Sequence, residues 1–450
     1  MDADSFDVIG VGIGPLNLSL AALIDDADRR LKTCFLERDS EFDWHRDMLI
    51  PGTDLQNSFT GDLVSPVDPT SSYSFLNYLK TKGRYWEFFN YEQFNIPRKE
   101  YNEYCRWVSE RLENCRFDRE VTTVSEGDDD TFVVRARNPE TGERHEYRAD
   151  NVVLGVGSRP YVPDELSGEL GENVFHSSQF LSRRENCLET ESITVVGSGQ
   201  SSAEIFLNLL RAQEDNGYRL DWLTRSDGFY PVDPSKLTRE LRTPDYMEYF
   251  YDLPREVSDG RVSQQDLLYK GISPGTSAAI FDTLYRRSIR NDVDVGMLSK
   301  TAVQSIESQS KNRYRLRCHQ WEEDRQFRHD SEVVILATGY HRPVPSFLEP
   351  VEDALVDADG RFSIDRDFEV ETNELAGRLF VQNDGMDAHG FNVADLSLCS
   401  HRNAVIINSI VGEEVYSVEN GSRFQSFGVE QFVEESPNSE LIEKVAFSTD

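Results

Sequence analysis

Lysine is nearly missing from this chain: nine of its 47 basic residues are Lys, and the rest are Arg. Basic residues are themselves outnumbered by 81 acidic ones, which leaves a net charge of −34 on 450 residues. Such a surface repels nucleic acid and anionic membranes, so neither is an expected partner. Abundant Asp and Glu with scarce Lys predict a high-salt cytoplasm, where concentrated cations screen the self-repulsion. An ordinary acidic cytosolic enzyme is the alternative. Long apolar runs are missing too. None reaches the roughly 18 residues at which a membrane span becomes plausible, and no signal pattern precedes the first strand. A soluble cytoplasmic protein is expected. The six cysteines (34, 105, 115, 187, 318 and 399) form no CxxC or CxxxxC pair. They read as reduced structural thiols. The eight histidines show no zinc spacing, so no metal is expected.

What the chain does have is a pair of glycine-rich loops in strand–turn–helix context. The first reads FDVIGVGIGPLNLSLAALI, from Phe6 to Ile24. A short apolar run meets Gly10, Gly12 and Gly14, and a helical pattern starts at Pro15. Gly10 is expected to permit the tight turn and Gly12 to admit a diphosphate, which the helix N-terminus favours electrostatically. The next apolar run ends in Glu37, where a ribose hydroxyl needs a carboxylate acceptor. The second loop reads SITVVGSGQSSAEIFLNLL, from Ser192 to Leu210, with Gly197 and Gly199 at the turn. Its following strand leads to Arg225. A carboxylate repels a 2′-phosphate and a guanidinium grips one, so FAD is expected on the first loop and NADPH on the second. One glycine pattern alone is a weak signal; two with opposite ribose chemistry are a strong one.

The length allows two or three domains. A polar and aromatic stretch runs from Phe42 to Arg98, with helical patterns at Tyr73–Lys82 and Glu100–Leu112. Val121–Val124, Thr131–Ala136 and Glu143–Tyr147 read as an antiparallel excursion, with turns at GDDD and NPETG. Val152–Val156 reads as a return to a buried strand. A strand pair, Tyr314–Cys318 and Gln326–His329, leads into EVVILATGY. Arg378–Gln382 reads as a last strand and Leu396–Val411 as a helix. The tail after Glu413 is acidic, weakly patterned and expected to be partly disordered. The predicted fold is α/β with two dinucleotide-binding, Rossmann-like domains. An NADPH domain (189–332) is inserted into a discontinuous FAD domain (1–188 and 333–450).

Several stretches carry a more specific likeness: GVGIGPLNLSLAAL, FLERDSEFDWHRDMLIPGTDLQ, DPTSSYSFLNYLKTKGR, VVGSGQSSAE, LATGY and AHGFNVADLS. Over residues 6 to about 412 the chain resembles the lysine/ornithine N-monooxygenases of siderophore biosynthesis, which are flavin-dependent N-hydroxylating enzymes. KGISPGTSAAIFDTLYRRS is similar to the lysine-type branch. The resemblance implies that Gly10, Gly12, Gly14, Pro15 and Glu37 hold the adenosine half of FAD. Trp44, His45 and Gln56 would pack against the flavin, with Arg98 near its ring; Gln56 and Arg98 are the implied catalytic residues. Gly197, Gly199, Gln200 and Ser201 would bind NADPH, with Arg225 on its 2′-phosphate. His389 and Gly390 would line the flavin, and Ser397 the amine. The implied reaction hydroxylates a terminal primary amine with O2 through a C4a-hydroperoxide of the reduced flavin. The expected partners are a small aliphatic amine and O2, with a homo-oligomer left open.

One departure stands out. The family reads SF–K–DL, with a Lys on the substrate's α-carboxylate; here Ser58-Phe59-Thr60-Gly61-Asp62-Leu63 puts Gly61 in the substrate-binding place of that Lys. A lost charge-assisted hydrogen bond is worth about 1.5–3 kcal/mol. Either the substrate is a diamine (1,3-diaminopropane, putrescine or cadaverine), which is the favoured reading, or Lys270 or Arg239 replaces the Lys. Rival readings are a disulfide reductase, which needs a redox Cys pair, and a Baeyer–Villiger or sulfide-oxidising flavin monooxygenase.

Overall fold

The computed structural model describes residues 4–27, 31–127, 131–310, 312–372, 374–418 and 424–429. Residues 128–130 of the GDDD turn and most of the tail beyond Glu413 lie outside them. Two sheets organise the rest. The first has seven strands. Asp4–Val11 lies parallel between Thr33–Leu36 and Arg144–Leu154, with Cys115–Arg116 beyond the former. Phe132–Arg137 and Glu120–Glu126 extend it in antiparallel fashion. The helix Pro15–Asp26 follows the first strand with Pro at its start, where the missing N–H costs nothing. The main core gathers around this sheet, and Val8, Ile9, Val152 and Val153 are fully buried.

The sequence suggested two strands between Glu143 and Val156; the structure has one, Arg144–Leu154. The polar pair Asp150-Asn151 looked like a break. It is instead where the strand changes partners. Phe132–Arg137 pairs with the first half, and Arg378–Val381 runs parallel to the second from Asn151 onward. Asn151 Nδ2 donates to Asp7 O at 2.8 Å, so the side chain knits two strands rather than ending one.

The second sheet is wholly parallel, in the order Val174–His176, Val333–Leu336, Ser192–Val196, Arg219–Leu223, Val295–Leu298. Both faces are covered, which explains the unbroken apolar runs in its central strands. The helix Gln200–Asn216 ends on Gly217 at φ +74°, a left-handed cap that glycine adopts without strain. This sheet takes in strands on both sides of the expected 189–332 span. The short run Val174–His176 carries too little pattern to assign to either unit. Thr301–Ser310 adds a third strand to the predicted pair, now Arg313–Gln320 and Arg325–Ser331.

The chain crosses between the sheets twice. Arg159–Pro160 on the way out pairs antiparallel with Tyr340–His341 on the way back. A string of helices from Lys236–Arg239 to Pro274–Ser288 was largely invisible in the sequence. All six cysteines are unpaired. Among the described residues, no helix is long and apolar enough to cross a membrane.

Candidate active site

One cleft of about 2730 Å3 runs along the C-terminal ends of the parallel strands in both sheets. Each glycine loop forms one wall. Gly12 carries the positive φ of the first loop, +86°, and a β-carbon there would stand 2.7 Å from Gly155 O. Gly10 has a different task from the expected one. It takes no left-handed conformation and does not line the cleft; a β-carbon would strike the Phe35 ring at 2.1 Å. Gly14 caps the helix Pro15–Asp26, which has no side-chain cap, so its end faces the cleft ready for an anion. Glu37 flanks the loop and accepts from Ile13 N–H at 2.8 Å.

The second loop repeats the device. Gly197 has φ +140°, and a β-carbon would lie 2.2 Å from Ala337 O. Gly199 caps the helix Gln200–Asn216, again without a side-chain cap. Gln200, Ser201 and Arg225 line the cleft beside it. Arg225 is exposed at the rim, and its carbonyl accepts from Trp321 Nε1 at 2.9 Å. Two uncapped helix ends, one glycine in each loop closed to a β-carbon, Glu37 on one side and Arg225 on the other fit FAD and NADPH respectively.

Between the loops lie Trp44, His45, Gln56 and Arg98. His45 is left-handed at φ +52°, an uncommon state for a non-glycine residue. It is held between Trp44, 4.7 Å away between ring centroids, and Tyr340, 5.9 Å away. Burial, aided by the nearby Arg98 guanidinium, pulls the imidazole down to about 4, so it is neutral at physiological pH. Arg98 makes a two-pronged ion pair with Glu204 on the helix Gln200–Asn216: Nη1 to Oε2 at 2.8 Å and Nη2 to Oε1 at 2.9 Å. Glu204 also accepts from Gln200 Nε2 at 2.8 Å, and Gln200 Oε1 in turn accepts from Ser273 N–H at 2.7 Å. Burial pushes the Glu204 carboxyl up, and Arg98 pulls it back. Sequence reasoning missed Glu204. Its signal was an acid inside the otherwise buried run Ser202 to Leu207.

The C-terminal residues behave differently from expectation. His389 and Gly390 do not line the cleft. His389 is buried against Phe368, centroids 4.3 Å apart, and its Nε2 lies 2.9 Å from Asp365 O. Gly390 makes room for the Phe250 ring, which a β-carbon would meet at 3.1 Å. Both are packing residues. Their neighbours Phe391, Ala394, Asp395 and Leu396 face the cleft instead. The residues of this stretch that face the cleft are offset by a few positions from the expected ones, because short 3-10 turns rotate it.

Gly61 and Ser397 touch. A β-carbon at Gly61 would stand 2.8 Å from Ser397 Cβ, and neither residue lines the cleft directly. Ser397 N and Oγ both donate to Asp395 Oδ1, at 2.9 and 2.7 Å. Of the two cations considered as replacements for the missing Lys, Arg239 is exposed and outside the cleft lining. Lys270 lines the cleft but is paired with Asp266 at 2.8 Å. Arg242, which the sequence did not single out, lines the cleft with Nη1 3.8 Å from Asp395 Oδ2. Among the described residues no cysteine lines the cleft.

Comparison with known proteins agrees with this geometry. A putrescine N-hydroxylase of Acinetobacter baumannii is 38% identical over 424 residues, 94% of this chain and 93% of that protein. The FAD-bound structure of the cadaverine monooxygenase of the desferrioxamine pathway of Erwinia amylovora matches with TM-score 0.89 and 37% identity, covering 96% of this chain and 99% of that one. An ornithine N-hydroxylase from Kutzneria sp. 744, with reduced FAD, NADP+ and L-ornithine, matches with TM-score 0.85 and 26% identity, covering 91% and 99%. The model of the L-lysine 6-monooxygenase/L-ornithine 5-monooxygenase family matches residues 4–342. With a glycine loop on each wall of one cleft and Trp44 and His45 lining it as well, this chain belongs to the L-lysine 6-monooxygenase/L-ornithine 5-monooxygenase family of flavin-dependent N-hydroxylating monooxygenases.

Proposed function

We propose that this enzyme N-hydroxylates one end of an unbranched aliphatic diamine, such as 1,3-diaminopropane, putrescine or cadaverine, on the way to a hydroxamate siderophore. The observation that carries the reading is Gly61. The expected carboxylate-binding Lys is missing, and the space a side chain would need there is taken by Ser397. The names of the putrescine- and cadaverine-hydroxylating relatives support the same substrate class. Six unpaired cysteines support a cytoplasmic location.

FAD reduced by NADPH supplies the activated oxygen, and the protein supplies binding, orientation and dryness. The uncapped helix ends and the Gly12 and Gly197 loops support roles in holding the two diphosphates. Glu37 and Arg225 would read the two riboses. Arg98, braced by Glu204, would keep a fixed cation beside the flavin ring, while neutral His45 and Trp44 would close one side to water. An alkyl ammonium has a pKa near 10.4, so the bound amine must shed a proton before it can attack. A second fixed cation such as Arg98 near the reacting end lowers that pKa.

The test is hydroxylamine formation with FAD and NADPH across L-lysine, L-ornithine, 1,3-diaminopropane, putrescine and cadaverine, in high salt. A diamine is expected to lead L-lysine in kcat/KM by at least about tenfold, the value of one lost charge-assisted contact. L-Lysine in the lead would overturn the reading.

A further inference from the structure

We infer that Asp395 is the anchor for the distal ammonium of the diamine, and so the residue that sets the enzyme's preference for a second positive charge. The inference rests on the diamine reading above. It starts from a charge inversion. The expected cation is absent at Gly61, and the residue filling that space, Ser397, is hydrogen-bonded twice to a carboxylate. A site built for an amino acid needs a cation at the far end of the substrate. Here the carboxylate of Asp395 faces the cleft, with the Arg242 guanidinium 3.8 Å from it on the same wall.

The geometry suits the role. Asp395 lines the cleft, and its side chain is 8% exposed, so its charge is little screened by solvent. Ser397 fixes the carboxylate by gripping Oδ1 alone. Oδ2 carries no hydrogen bond among the described residues, and its nearest cation, Arg242 Nη1, stands 3.8 Å away, beyond hydrogen-bond distance. Arg242 is itself drawn aside, because its Nη2 donates to Leu268 O. Oδ2 is therefore a pre-oriented acceptor with room for one more donor. A primary ammonium brings three donors on a compact charge, and a carboxylate acceptor makes each bond charge-assisted.

The cleft also offers the rest of a diamine's needs. Phe391, Ala394 and Leu396 flank Asp395 on the same segment and give an apolar passage for the methylene chain. An α-carboxylate brought to the same end would meet Asp395 at close range, and like charges there cost affinity. Selection is thus both attractive and repulsive.

The experiment uses the holoenzyme and its Asp395→Asn and Arg242→Ala variants. Each is assayed for hydroxylamine formation with putrescine, cadaverine, L-lysine and the monoamines butylamine and pentylamine. Flavin loading, read at the visible absorbance bands, and NADPH oxidation without amine report on folding and on the nucleotide sites. The wild type is expected to favour diamines over the matched monoamines. Asp395→Asn is expected to raise KM for diamines about 10- to 100-fold while leaving KM for monoamines within about twofold, so that the preference collapses. Arg242→Ala is expected to keep the diamine preference, since it removes only a competing cation. A wild type that favours L-lysine sinks the diamine reading itself. A wild type that favours diamines, with Asp395→Asn retaining both flavin and the diamine-over-monoamine ratio, leaves that reading standing and overturns the assignment of Asp395. Should Asp395→Asn lose its flavin, Asp395→Glu serves instead: the displaced carboxylate is expected to shift the preferred chain length toward the shorter diamine, and an unchanged length preference counts against the anchor.

Discussion

Removing one partner of the Arg98–Glu204 pair is the perturbation whose cost the structure fixes best. The pair ties the helix Arg98–Ser109 to the helix Gln200–Asn216 and is nearly dry: side-chain exposure is 15% for Arg98 and 2% for Glu204. Breaking a buried pair by deleting one member costs about 3–5 kcal/mol, because the survivor keeps its charge without compensation. Glu204→Ala leaves an arginine that still donates to Met48 O at 3.1 Å, so its cost falls near about 3 kcal/mol. Arg98→Ala strands the more deeply buried carboxylate with only Gln200 beside it and should cost about 4 kcal/mol. The double variant removes both charges at once, so its cost is well below the sum, with a coupling of about 2–3 kcal/mol. The assay is urea unfolding of the four holoenzymes, followed by flavin fluorescence and near-ultraviolet dichroism. There is also a pH signature. Burial already raises the Glu204 carboxyl, and loss of Arg98 raises it further. The Arg98→Ala penalty is then full well above the folded pKa and fades as pH falls toward the unfolded value, because a protonated Glu204 needs no partner. Additive single effects, within about 0.5 kcal/mol, would refute the view that the two charges act as one unit.

Four further outcomes follow from particular residues. Arg225→Ala should cut kcat/KM for NADPH about 5- to 30-fold, the low end for a charge-assisted contact because Arg225 is exposed, and leave NADH unchanged; equal loss with both cofactors would count against a 2′-phosphate role. His45, His389 and His401 are each pulled down to about 4 by burial, so their contribution to stability is complete above about 6.5 and is lost as pH falls toward 4. The urea midpoint should therefore drop between pH 7 and 5, and a flat profile would contradict this. Net charge −34 predicts a higher unfolding midpoint in molar KCl than in dilute buffer, measured by thermal dichroism; equal midpoints would remove the high-salt reading. Gly61→Lys should not create L-lysine activity, since Ser397 occupies the required space, and should lower stability by about 1–3 kcal/mol; a tenfold rise in kcat/KM for L-lysine would show that Ser397 yields.

The two nucleotide units were legible in the sequence because their physics is local. A buried parallel strand, a glycine forced by a close carbonyl and an uncapped helix all lie within about 20 residues, and each leaves its mark on residue type. The division of labour between Gly10 and Gly12 was not legible, since the Phe35 ring and Gly155 carbonyl that constrain them come from elsewhere in the chain. The same holds for Arg98, whose partner lies 106 residues away. Arg242 and Asp395 escaped notice for another reason. They sit in the short links between helices and between 3-10 turns, where polar residues follow no period, so only the fold says which of them face the cleft. His389 was the converse: a motif position with a strong likeness, turned by the fold into a ring packed between Phe368 and Tyr251.

The ribbon formed by Arg159–Pro160 and Tyr340–His341 has a mechanical consequence. A domain hung on one strand can swivel about it. A domain hung on two strands that are hydrogen-bonded edge to edge can bend across the ribbon's thin direction but resists twisting, as a door leaf does on its hinge. Any opening of the nucleotide cleft is thereby channelled into one swing. Because the swing passes through Tyr340, whose ring meets both His45 and His176 edge-on, the same motion that parts the walls also withdraws one side of the pocket around His45.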